Sequence, residues 1–219
     1  INNSLLFLTI ISMFLISVLL TVGPSFDLFL SSLFYKNNNQ FVLQSYYPIT
    51  ILFRDVLLPF ILICLLVLPI ILKFLPIKKF YNKHIFVIKE LCFIWLSVFF
   101  ILVVVVNSFL KNFWGRARPG DTVQLGGKEV FSPWYEYSVA CSTNCSFVSG
   151  DAAVGFLVIL FYFITKKTSY IYLSLICGFS LGFIRIAEGG HFLSDVVFSG
   201  LIVFLIGLLI NKFFLNRAK

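Results

Sequence analysis

The sequence predicts an all-α, polytopic membrane protein built as a bundle of six transmembrane helices. Three observations lead there. The 219 residues are 60% hydrophobic and only 12% charged, with a mean hydropathy of +1.01, whereas soluble domains carry about 25% charged residues. The apolar runs approach the roughly 20 residues that a membrane crossing needs. The remaining charges fall almost entirely between those runs.

The six stretches run approximately from Leu5 to Val22, Val56 to Leu75, Ile85 to Leu110, Ala152 to Thr165, Ser169 to Ile184 and Phe192 to Ile210. The first is too long for the apolar core of a signal peptide and lacks a small-residue cleavage site. The chain opens on Ile1 rather than Met, which implies that a few residues precede it. The fourth and fifth stretches are short and separated only by Lys166, Lys167 and Thr168, so their ends should extend into flanking residues. Residues 1–219 are expected to form one domain.

Sidedness follows from the basic residues. With the N-terminus inside, Lys73, Lys78, Lys79, Lys83, Lys166, Lys167, Lys212, Arg217 and Lys219 fall on the cytoplasmic side. Lys36, Arg54, Lys111, Arg116, Arg118, Lys128 and Arg185 fall outside. The short loops after the second and fourth stretches are purely basic, the feature that most strongly sets orientation. The net charge of +8 is therefore topological; no basic cluster interleaved with stacking aromatics points to nucleic acid.

Of the acids, Glu90 alone lies on the inner side. Asp27, Asp55, Asp121, Glu129, Glu136, Asp151, Glu188 and Asp195 all lie outside, together with Arg and Lys. Ionisable residues at a membrane boundary are costly and point to function, although Lys36, Asp121, Lys128 and Glu129 read as a solvated loop surface. Cys64, Cys92 and Cys177 sit in apolar runs as small buried residues. Cys141 and Cys145, in the outer loop, would permit a disulfide in an oxidising compartment. No His pair accompanies them, which argues against zinc.

Three outer segments carry chemistry. Lys111-Asn-Phe-Trp-Gly-Arg-Ala-Arg118-Pro119 offers Arg forks and a Lys charge suited to phosphate, or merely to lipid head groups. Ser146-Phe-Val-Ser149-Gly150-Asp151 opens a helix, where backbone N–H groups attract an anion and where Ser would also serve as a plain cap. In Arg185-Ile-Ala-Glu-Gly-Gly-His191-Phe-Leu-Ser-Asp195, the i,i+4 spacing sets His191 and Asp195 on one helical face. An Asp so placed can hold one ring nitrogen protonated and leave the other to attack.

Together, Lys-x6-Arg-Pro, Ser-Gly before a helix and Arg-x5-His-x3-Asp resemble the type 2 phosphatidic acid phosphatase (PAP2) superfamily. The resemblance covers the chain from about Leu75 onward. It implies a six-helix membrane bundle of phosphatases that need neither metal nor cofactor. It also implies that His191 forms a phosphohistidine, that Asp195 orients it, and that Lys111, Arg118, Ser149, Gly150 and Arg185 hold the phosphoryl oxygens. Where the family usually has a His after Ser-Gly to protonate the leaving alkoxide, this chain has Asp151. An Asp serves there only if part of it stays protonated.

The local wording also looks like the branch containing bacterial lipid A phosphatases. That implies lipid A as substrate, at the 1 or 4′ position, on the periplasmic face of the inner membrane. Undecaprenyl diphosphate and phosphatidylglycerol phosphate remain open as alternatives, as does a non-catalytic binder or transporter of lipid phosphates. Arg116, outside the family pattern, is expected to touch a sugar hydroxyl or a second phosphate. The implied partners are a phosphorylated lipid and membrane lipids, with no nucleic acid and no obligate protein partner.

Overall fold

The computed structural model describes residues 2–23, 25–36, 40–43, 47–74 and 88–215. The described residues are mostly helical, with one hairpin of two short strands. Helix α1 (Asn2–Val22) is followed by the short α2 (Ser25–Ser32) and the antiparallel strands β1 (Tyr35–Lys36) and β2 (Gln40–Phe41). The next helical stretch comprises α3 (Tyr47–Ile51), a π segment (Leu52–Leu57), α4 (Leu58–Leu66) and α5 (Leu68–Phe74). It divides at Val67 because Pro69 has no N–H to give and its ring crowds the preceding turn. The third stretch is α6 (Ile88–Val98), a π segment (Phe99–Leu110) and α7 (Lys111–Phe113). A loop with short 3₁₀ turns at Pro119–Asp121 and Val123–Leu125 leads to α8 (Gly150–Phe156), α9 (Ile159–Thr165), α10 (Ser169–Ala187) and α11 (Leu193–Phe214).

Among the described residues, five helical stretches are long and apolar enough to cross a membrane: Ser4–Thr21, Pro48–Ile71, Ile88–Phe113, Ser169–Ala187 and Leu193–Phe214. The sixth expected crossing, Gly150–Thr165, is apolar but shorter. It does extend beyond Ala152 to Gly150, as its brevity in the sequence required. The second stretch begins well before Val56, so Arg54 and Asp55 lie within the helix and not ahead of it. Among the inner basic residues, Lys78, Lys79, Lys83, Arg217 and Lys219 lie outside the described residues, as does the expected start of the third crossing at Ile85.

Helices α8 and α10 pack most extensively, and α11 lies against α1 and α8. Close approach is possible because the contact is lined by glycine, the usual device where membrane helices meet. A Cβ on Gly155 would sit 2.6 Å from the Cys177 carbonyl oxygen, and one on Gly178 would sit 2.4 Å from the Phe156 ring. The core is apolar, with Phe93, Ile94, Phe156, Leu157, Ile159, Leu160 and Phe204 wholly buried. Large apolar side chains also face outward, including Phe7, Leu19, Phe60, Ile63, Phe99 and Ile176. That is the arrangement of a helix bundle with hydrocarbon as its solvent. The buried polar groups concentrate where α7, α8, α10 and α11 bring their ends together.

Candidate active site

Two loops are fastened to each other before any functional side chain is placed. Gly115, at φ +67°, turns the chain after α7. The segment beyond Ser138 then runs back along it: Ser138 N donates to Trp114 O (3.1 Å), Cys141 N to Gly115 O (3.0 Å), Cys145 N to Lys111 O (3.0 Å) and Ser146 N to Arg116 O (2.9 Å). Cys141 and Cys145 are joined as a disulfide. Trp114 stacks on Phe147 at 5.0 Å, and Trp134 packs on Phe198 of α11 at 4.1 Å. The first two sequence segments thus form one ledge over α11.

The cations of that ledge converge with Arg185. Lys111 Nζ donates to Asn144 Oδ1 (3.3 Å), and Arg118 Nη2 donates to the Asn144 carbonyl (2.9 Å). Pro119 holds Arg118 in an extended conformation, φ −77° and ψ 156°, as the residue before proline prefers. A Cβ on Gly150 would lie 3.3 Å from Lys111 Nζ, so the start of α8 opens directly beside that ammonium. Ser149 caps α8, its Oγ accepting from Ala152 N at 3.4 Å. The cap expected of this turn is formed. Burial lowers the pKa of Arg118, and the neighbouring Arg185 and Arg54 reinforce the shift. This is a pocket with positive charge to spare.

Arg185 ends α10 and is buried. Its Nη1 donates to Glu188, and its Nε stands 3.4 Å from Asp151 Oδ2. The glycine pair that follows has separate tasks. Gly189 turns the chain at φ +70°, and Gly190 leaves room for the guanidinium, which a Cβ there would meet at 2.5 Å. Asp151 pairs with two guanidinium groups through the same oxygen, Arg54 Nε standing 3.6 Å from Oδ2.

His191 is buried at the foot of this cluster. Its backbone N–H donates to Arg185 O at 3.3 Å. Its Nδ1 lies 2.7 Å from the Ser146 carbonyl, a contact that needs the proton on Nδ1 and leaves Nε2 with its lone pair. Asp195 Oδ2 is 3.7 Å from Nδ1, an ion-pair distance rather than a hydrogen bond. The direct His–Asp bond expected from the i,i+4 spacing is thus replaced by a relay, because His191 precedes α11 and only Asp195 is helical. Asp195 Oδ2 accepts from Ser146 Oγ (2.5 Å) and from Phe192 N (2.8 Å). Burial holds the His191 imidazole down to about 4, outweighing Asp195, which favours the charged ring. At neutral pH the ring is uncharged.

Arg116 corrects an expectation. The expected substrate contact gives way to an internal role: Arg116 is fully buried, and its guanidinium makes four hydrogen bonds within the protein. Nη1 reaches Asp195 Oδ1 (2.6 Å) and Ser194 Oγ (2.7 Å), Nη2 reaches Asp27 Oδ2 (2.8 Å), and Nε reaches Ser132 O (2.9 Å). Phe192 covers the guanidinium at 4.2 Å. Two buried carboxylates, one from α2, draw it inward.

The structure therefore gathers Lys111, Arg118, Ser149, Gly150, Asp151, Arg185, His191 and Asp195 at one end of the bundle. It adds Arg54, Asn144, Ser146 and Asp27, which sequence reasoning did not assign. Arg54 carried a signal, being an Arg at the edge of an apolar run; Asn144 and Ser146 acquire their partners only when the loops pair. Asp121, read as a solvated loop, lines a cleft of about 460 Å³ beside the cations.

The class of protein defined here is a helical membrane bundle that gathers Lys111, Arg118 and Arg185 around a buried, neutral histidine at one end. The chain belongs to the PAP2 superfamily, whose profile matches residues 92–219. It is 39% identical over 120 residues to the Lipid A 4′-phosphatase of Francisella tularensis subsp. novicida (strain U112), covering 50% of this chain and 54% of that protein. It is 40% identical over 108 residues to the Lipid A 4′-phosphatase of Rhizobium leguminosarum, covering 47% of this chain and 46% of the relative. The chain thus spans about half the length of the curated relatives it matches. No solved structure matches it.

Proposed function

We propose that the protein is a lipid A phosphatase that removes the 4′-phosphate at the periplasmic face of the bacterial inner membrane. The observation that carries this reading is His191, held uncharged with Nδ1 turned to Ser146 O and Nε2 left for phosphorus, beneath Lys111, Arg118 and Arg185. The position on the sugar is taken from the names of the relatives, and the periplasmic face from the purely basic Lys166–Lys167 loop at the opposite end.

The cradle neutralises the phosphoryl oxygens, with the N–H groups that open α8 completing it. Nε2 attacks phosphorus, the bond to the sugar oxygen breaks, and the leaving alkoxide takes a proton from Asp151, which enters the step as the carboxylic acid and leaves it as the carboxylate that pairs with Arg54 and Arg185. Water then attacks the phosphohistidine, giving its proton back to Asp151 and releasing inorganic phosphate and neutral His191. Asp195 acts through Ser146, setting the carbonyl that fixes the ring.

Mass spectrometry of lipid A from cells with and without the protein tests this. The expected result is lipid A one phosphate lighter in the expressing cells, with fragmentation placing the loss at 4′. Cells expressing His191→Ala should retain the phosphate. Unchanged lipid A, with undecaprenyl diphosphate or phosphatidylglycerol phosphate consumed instead, would reassign the substrate.

A further inference from the structure

Beside the phosphate cradle lies a cleft of about 460 Å³ whose wall includes Arg54, Arg118, Arg185, Glu188, Asp121 and Phe41. Arg118 and Arg185 belong to both cleft and cradle. A group lodged in the cleft is therefore within reach of a phosphate held over His191, and can be part of the same molecule. The cleft is not acyl-chain territory. It joins three guanidinium groups to two carboxylates, and an alkyl chain there would leave them dry and unpaired.

The polar atoms of this wall are incompletely matched. Glu188 gives one carboxylate oxygen to Arg185, while Oε1 is buried without a hydrogen-bond partner. Arg185 Nε likewise makes no hydrogen bond, and its ion pair with Asp151 Oδ2 is long, at 3.4 Å. Arg54, half exposed on the π segment Leu52–Leu57, makes a single ion pair among the described residues, with Asp151 at 3.6 Å. Buried polar groups are ordinarily satisfied, and an exception calls for an explanation. An acceptor carboxylate among guanidinium donors suits a ligand that both donates and accepts. A second phosphate would accept only, and would face Glu188 and Asp121. Phe41 offers an apolar surface at the same wall.

We propose that this cleft is a head-group subsite for a hydroxyl-bearing sugar ring attached to the reacting phosphate, with Glu188 accepting from a sugar hydroxyl or amide and Arg54 donating to a sugar oxygen. The inference rests on the phosphatase reading and narrows it to glycolipid phosphates. Arg54 and Glu188 are then specificity-determining residues. Arg54 lies outside residues 92–219, so this part of the recognition comes from the half of the chain that the family profile does not cover.

The test compares kcat/KM of the detergent-solubilised full chain on lipid A and on phosphatidic acid, which has no sugar, for wild type, Arg54→Gln and Glu188→Gln. A charge-assisted hydrogen bond confined to the sugar predicts a loss on lipid A about tenfold or more beyond any loss on phosphatidic acid. Equal losses on both substrates would mean that Glu188 only props Arg185, and would overturn the subsite. Unchanged rates on both would overturn it as well. Binding of glucosamine 4-phosphate against inorganic phosphate supplies a readout without turnover. Wild type should prefer the sugar phosphate, and both variants should lose that preference. A protein that keeps the preference but turns over neither lipid would sink the phosphatase reading and leave the subsite standing. One that turns over lipid without any sugar preference would do the reverse.

Discussion

Arg116 meets the site from within the protein, through Asp195. It balances Asp27 and Asp195 in a region without solvent, where breaking a buried ion pair costs about 3–5 kcal/mol. Arg116→Lys keeps the charge but not the fork, and Asp27→Asn removes one of its two carboxylates. Both should lower kcat with little change in KM, because neither residue lines the cleft; steady-state kinetics on lipid A checks this, and a rise in KM alone would contradict it. His191 carries a pH signature of definite sign. With its pKa at about 4, below the ordinary 6.5, the native ring stays neutral while an unfolded one gains a proton. Stability linked to it is present above pH 6.5 and is lost as pH falls toward 4. The chain has only two histidines, so nitrogen-15 NMR of labelled protein, assigned with His84→Gln, should show His191 uncharged at pH 5.5. Asp151 has a third expectation. As proton donor, its Asn variant should lose far more activity on lipid A than on an aryl phosphate, whose leaving group needs no proton. Equal losses would leave it a binding role between Arg54 and Arg185.

At the scale of elements, the glycines of α8 and α10 deserve a direct measurement. A methyl at Gly178 would collide with Phe156, while one at Gly23 would meet nothing within 4 Å. Overpacking costs about 1–3 kcal/mol, so Gly178→Ala should lower the thermal midpoint in detergent and Gly23→Ala should not. Activity should fall with Gly178→Ala, since the last turn of α10 carries Arg185. An unchanged midpoint would show that the two helices can separate freely. The same elements explain where helix prediction held. Runs of Leu, Ile, Val and Phe must be helical in a bilayer, where every backbone group needs an internal partner. It slipped at Arg54 and Asp55, where charge was taken as a boundary; the helix continues through them because Arg54 finds Asp151 across the bundle end.

For the whole molecule, the prediction is one of sidedness. Single cysteines introduced at Lys166, Lys167 or Thr168, in a background free of other reactive thiols, should react with a membrane-impermeant reagent only from the cytoplasm. Labelling from the periplasm would invert both topology and site. The three chemical segments are far apart in sequence, yet α7, α8, α10 and α11 bring them to one end. Antiparallel helices joined by short loops must alternate ends, so the positions of the motifs along the chain already placed them together.

What the sequence determined by itself was the helical membrane class, the approximate crossings, and the cast of Lys111, Arg118, Ser149, Arg185, His191 and Asp195. Each is local information: hydropathy over one turn after another, or residue types at fixed spacing. Tertiary structure alone decided that Arg116 is buried and not substrate-facing. It also decided that Ser146 stands between Asp195 and His191, that Asn144 engages both Lys111 and Arg118, and that Arg54 and Glu188 share a cleft. Those roles depend on which polar group meets which across segments distant in the chain. A buried charge takes whichever partner the packing brings within about 3 Å, and no spacing in the sequence encodes that distance.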